Sequence, residues 1–91
     1  MPEFVIEKAV EGLGEMSQVQ QDLTIRRSCS VLHGVAPGVE WVQSYVTQDK
    51  CYCVFHAPSA QVLWDLIEQW ELQPPISICE VHQIVHPDGK T

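Results

Sequence analysis

The sequence predicts an α+β domain of element order βαββαβ: a four-stranded antiparallel sheet with two helices on one face. Three observations predict it. Short runs rich in β-branched and aromatic residues alternate with two stretches of helical periodicity. Each helical stretch opens near a serine suited to cap it, Ser17 and Ser59. Glycine and proline clusters punctuate the joins, notably Gly12-Leu13-Gly14, Ala36-Pro37-Gly38 and Pro74-Pro75. The 91 residues are enough for one domain and not for two, with a core over about 3–85 and a tail over 86–91.

Phe4-Val5-Ile6-Glu7 is a short apolar run that reads as the first strand. Ser17 and Gln20 have the spacing of a capping box, and Met16, Val19, Leu23, Ile25, Cys29 and Leu32 follow at helical spacings, so a helix is predicted over about 17–33. Val39 to Thr47 reads as a strand. Strict alternation would put Trp41, Gln43 and Tyr45 on one face and Val42, Ser44 and Val46 on the other. Gln48-Asp49-Lys50 is a short polar hairpin connection, and Cys51 to Ala57 is the next strand. There Cys51, Cys53 and Phe55 share one face, and Tyr52, Val54 and His56 the other. Leu63, Leu66, Ile67 and Trp70 form the apolar stripe of a second helix, which Pro74-Pro75 would stop. Trp70 therefore reads as core, and Trp64, off the stripe, as a partner contact or a half-exposed residue. Ile76 to Ile84 is predicted as the last strand. This order is the ferredoxin-like split βαβ pattern.

Composition narrows the function. Hydrophobic residues make up 45% of the chain and charged residues 19%, which is ordinary for a globular domain. A net charge of −7 argues against nucleic acid and against docking on anionic lipid, both of which need clustered Lys and Arg. It favours cations. The first residues lack a basic segment followed by a long apolar run, and no stretch has the length of a membrane span. A cytoplasmic location is the resulting expectation, with Cys29, Cys51, Cys53 and Cys79 reduced.

Neither face of the predicted sheet is plainly polar, since aromatic and β-branched residues fall on both. An apolar second face on so small a domain predicts a homodimer through the sheet, a dimeric α/β-barrel-like assembly.

The stretch Trp41-Val42-Gln43-Ser44-Tyr45-Val46-Thr47-Gln48-Asp49-Lys50, followed by Tyr52-Cys53-Val54-Phe55-His56-Ala57-Pro58, resembles a bacterial family of small ferredoxin-like domains of unknown function with nickel-responsive, nickel-binding members. Glu7 after an apolar strand and Ile78 to Val81 near the end also fit, and the resemblance covers roughly residues 3–85. It implies a homodimer and, in at least some members, binding of a divalent transition metal such as Ni2+. The chain departs from the family at Gln43, where many relatives carry His, and at His56, where many carry Glu. The second helix also lacks a His common there.

Imidazole suits nickel, zinc and copper, with carboxylates as helpers, which makes Glu7, His56, Glu80 and His82 the candidate metal ligands. Glu80 and His82 are two apart on one predicted strand and would share a face. The competing reading is that all four are polar rim or hydrogen-bonded core residues, because no tight pattern such as H-x-x-x-H occurs. Trp41, Gln43, Tyr45 and Cys53 are candidates for lining a ligand pocket. Cys51 and Cys53 would have Cα atoms about 6.5–7 Å apart, at the edge of disulfide reach, and read first as small buried hydrophobes. A cofactor-independent enzyme is the alternative class, with His56 as general base in the cleft between helices and sheet and Tyr45 or Glu7 orienting it. A non-catalytic interaction module is the third.

Overall fold

The structure, a computed structural model, describes residues 2–89. Its elements run β1 (Glu3–Ala9), α1 (Gln18–Leu32), β2 (Glu40–Val46), β3 (Lys50–His56), α2 (Ala60–Gln69) and β4 (Ser77–Glu80). The four strands form one antiparallel sheet of order β2-β3-β1-β4. β1 thus lies between β3 and β4, and β3 between β1 and β2, as the split βαβ pattern requires. The ferredoxin-like α+β fold is the observed one.

Local chemistry sets the element ends. Ser17, extended at φ −63° and ψ 159°, accepts a hydrogen bond from the Gln20 amide at 3.1 Å and starts α1. Gly34, at φ +73°, turns the chain out of that helix. The preceding residue, His33, accepts the Trp41 amide on Nδ1 at 2.9 Å, which ties the end of α1 to the start of β2. Ser59 caps α2 by accepting from the Val62 amide. That helix stops before the prolines: Trp70 caps it and Glu71 takes the left-handed conformation at φ +54°.

The core lies between the helices and one sheet face. β1 contributes Phe4 and Ile6, and β3 contributes Cys51, Cys53 and Phe55. Ile25, Cys29 and Leu32 come from α1; Leu63, Leu66 and Ile67 come from α2. The cross-strand partners Phe4 and Phe55, and Ile6 and Cys53, make the sheet side of this core contiguous.

Three sequence expectations change. Register shifts between Trp41 and Gln43, so β2 does not alternate strictly. Trp41, Ser44 and Val46 pair with Phe55, Cys53 and Cys51 on the helix side, while Glu40, Gln43 and Tyr45 pair with His56, Val54 and Tyr52 on the open side. A bulge adds one residue to one strand and flips every side chain beyond it, which periodicity alone does not reveal. Trp70 is not core: it is 48% exposed, because it falls at the cap of α2, where the chain leaves the helical path. The last strand is shorter than 76–84 and ends at Glu80, so His82 lies beyond it.

Candidate functional site

The sheet face turned away from the helices carries most of the titratable candidates. At one end of this open face, β2, β3 and β1 set Glu40, His56 and Glu3 side by side in a single cross-strand row. His56 Nε2 lies 3.4 Å from Glu3 Oε1. The centre of the face is apolar: Val54 lies between Gln43 and Val5, and Cys79 completes the row on β4. Val54 is buried but stands outside the core between helices and sheet. Tyr45, 55% exposed, is paired with Tyr52 in the next row.

Glu7 occupies that next row, opposite Tyr52 and Ser77. Lys50 Nζ donates to its Oε2 at 3.0 Å and Ser77 Oγ to its Oε1 at 3.4 Å. The hydrogen bond from Lys50 holds the Glu7 carboxyl below its ordinary value, and the same contact holds the Lys50 ammonium above its own. Glu7 pairs with position 52, whereas His56 is four residues further along β3, a separation of about 13 Å at strand rise. One ion does not span it.

The other two metal candidates stand elsewhere. Glu80 pairs with Phe4 and so belongs to the helix side of edge strand β4. His82 follows the strand and borders a shallow depression with Pro2, Glu3, Val81, Gln83 and Ile84. Glu3 therefore touches His56 on one side and shares a depression with His82 on the other. Glu3 and Glu40 were missing from the sequence candidates. Alternation already puts Glu3 on the Glu7 face, four residues away; Glu40 needed the β2–β3 register to be recognised.

An imidazole beside carboxylates is a donor set for divalent first-row metals. The 3.4 Å contact is close to the ~3 Å between neighbouring ligands of an octahedral ion with bonds of ~2.1 Å. Among the described residues, however, no three His, Cys, Asp or Glu side chains converge on one ion position.

A second feature lies at the edge of the sheet, between α1 and edge strand β2. A groove of about 380 Å3 is lined there by Trp41, Gln43, Gln21, Asp22 and Arg26, among others. Arg26 stacks over the Trp41 ring at 5.7 Å and is held by Asp22 at 2.7 Å. Trp41 Nε1 donates to Ser44 Oγ at 3.0 Å. Of the pocket candidates, Trp41 and Gln43 line this groove, Tyr45 lines the adjoining depression, and Cys53 is buried in the core as the cross-strand partner of Ser44. His56 and Glu7 are on the opposite sheet face, so the suggested constellation of a His56 base in the helix–sheet cleft is not assembled.

No helix of the described residues is long and apolar enough to cross a membrane. No curated protein and no solved structure matches the chain. A family model does: that of the nickel responsive protein SCO4226-like, over residues 4–82. With most of its length matched, the chain belongs to the nickel-responsive SCO4226-like family.

Proposed function

We propose that the protein binds a divalent transition-metal ion, nickel first, on the open sheet face around His56, and does so as a homodimer joined through that face. The observation that carries this reading is the row Glu40–His56–Glu3, an imidazole flanked by carboxylates on the two neighbouring strands. The family description supports nickel as the first metal to test.

The dimer supports the site and the site supports the dimer. One chain supplies fewer converging ligands than a first-row ion takes, and a second copy laid over the same face brings a second set. The apolar centre formed by Val5, Val54 and Cys79, with Tyr45 and Tyr52 beside it, is the surface such a copy would cover. His82 joins the metal set through its shared depression with Glu3. Glu7 and Glu80 are assigned other roles: Glu7 is engaged by Lys50, and Glu80 is on the helix side.

Calorimetric titration of metal-free protein with nickel and zinc, run beside sedimentation measurements, tests this reading. Nickel should bind at micromolar concentration to a dimer, and His56→Ala and Glu3→Gln should each weaken it at least about tenfold without loss of fold. Absence of binding heat, or an unchanged His56→Ala titration, sinks the metal site. A monomer at all concentrations sinks the dimer.

A further inference from the structure

The core side of β3 carries a thiol cluster that the metal reading leaves unused. Cys51 and Cys53 are two apart on β3 and so point to the same face, where Cys29 of α1 packs against them. Cys29 Sγ is 3.5 Å from Cys53 Sγ, and Cys53 Sγ is 3.9 Å from Cys51 Sγ. Ser44 Oγ closes one end of the row, 3.9 Å from Cys29 Sγ. Lys8 stands at the other end as the cross-strand partner of Cys51. It is only 7% exposed, and its ammonium contacts the neutral Ser28 hydroxyl at 3.4 Å, with no carboxylate partner among the described residues.

A buried cation without a carboxylate calls for a negative group nearby. The thiol row supplies one. Hydrogen bonding with Cys29 and Cys51, then with Ser44, and the charge of Lys8 lower the Cys53 thiol against the opposing effect of burial. Cys29 and Cys51 are raised in turn by their hydrogen bonds to Cys53 and by burial. Of the three thiols, Cys53 is therefore the one most easily deprotonated. A cavity of about 150 Å3 reaches the row and is bounded by Lys8, Ser28 and Cys51. With a water occupying roughly 30 Å3, it has room for a molecule of two oxygens.

We propose that Cys29, Cys51 and Cys53 form an oxidant-reactive thiol centre that consumes hydrogen peroxide and ends as a Cys29–Cys53 disulfide joining α1 to β3. Cys51, the thiol that borders the cavity, reacts first, giving its proton to the Cys53 thiolate 3.9 Å away as it attacks. Its thiolate attacks one peroxide oxygen; the O–O bond breaks, and the leaving hydroxide takes the Cys53 proton to become water. Cys51 is then a sulfenic acid. The Cys53 thiolate attacks the Cys51 sulfur, the S–O bond breaks, and the second hydroxide takes the Cys29 proton. The resulting Cys51–Cys53 bond spans same-strand neighbours about 6.5–7 Å apart at Cα, the limit of disulfide geometry, so it is easily exchanged. The Cys29 thiolate attacks Cys53 and expels Cys51 as thiolate. Two thiols and one peroxide give one disulfide and two waters, and the cluster keeps its one negative charge beside Lys8.

The experiment is peroxide treatment of the full chain, alkylation in denaturant, and mass mapping. Trypsin cleaves after Arg27 and Lys50, which puts Cys29 and Cys53 on separate peptides. The expected result is a loss of two mass units and a cross-link between those peptides that fragments at Cys29 and Cys53. Cys51→Ala should slow its formation at least about tenfold, and Cys79→Ser should leave it unchanged. The proposal is overturned if wild-type oxidation is confined to Cys79 with Cys29, Cys51 and Cys53 still alkylatable, or if a folded Cys51→Ala oxidises at the wild-type rate. The wild-type map decides by itself should Cys51→Ala not fold.

Discussion

The two faces of the sheet are built from the same strands and carry different chemistry. On β3 the sequence alternates Cys51, Cys53 and Phe55 with Tyr52, Val54 and His56, and the pleat sends the first set under the helices and the second to the open side. Under the helices polar groups are partnered, the thiols with one another and with Ser44, and Lys8 with Ser28. On the open side polar side chains pair across strands while partly exposed: Glu7 with Lys50, and Glu3 with His56. The covered face therefore holds the fold together, and the open face keeps its paired polar groups partly accessible.

Truncation should separate the faces most sharply. Phe55→Ala removes a fully buried ring from the covered face and should cost about 3–5 kcal/mol, enough to unfold much of so small a domain. Tyr45→Ala on the open face loses a cross-strand aromatic pair and should cost less than about 1 kcal/mol in a monomer. Urea midpoints measured at low protein concentration compare the two, and equal losses would erase the distinction.

A smaller effect is expected where the loop after β1 meets the β2–β3 hairpin. Gly14 donates its amide to the Gln48 carbonyl at 2.6 Å, and an added Cβ would lie 2.6 Å from the Gln48 Cα. Because the obstacle is backbone, Gly14→Ala should cost about 1–3 kcal/mol of stability in the same assay. It should also disturb the hairpin that sets the register of both faces.

The smallest effect is pH-dependent and belongs to the open face alone. Glu7 has a folded pKa below its unfolded value, so its contribution is present above the unfolded value and is lost as pH falls through the folded one. Lys50 shifts the other way. Its contribution is present below its unfolded value and is lost as pH rises through the folded one. Tyr52 and Asp49 also act on Lys50. Wild type should exceed Glu7→Gln slightly near neutrality, and the difference should shrink as the pH falls below the ordinary carboxylate value of about 4.3 and vanish once the pH has passed the lower folded value. A difference that persists in acid would assign the effect to packing instead.

Much of this molecule was legible before any coordinates. The βαββαβ order, the serine caps and the Leu63, Leu66 and Ile67 stripe follow from local rules, because propensity, capping and periodicity act over a few residues. The match from Trp41 to Pro58 led to the family. Trp70 misled because periodicity continues past the point where a cap ends the helix.

The candidate site was less legible, since a site is defined by which strands meet. By itself the sequence determined that imidazole, carboxylate and thiol groups occur on short strands around one core. Only the tertiary structure decided that Glu3 and Glu40 flank His56, that Glu7 stands ~13 Å away beside Lys50, and that Cys29 reaches Cys53. The physical reason is register: one bulge between Trp41 and Gln43 exchanges the faces of β2, and sheet order brings together residues as distant in sequence as Glu3 and His56.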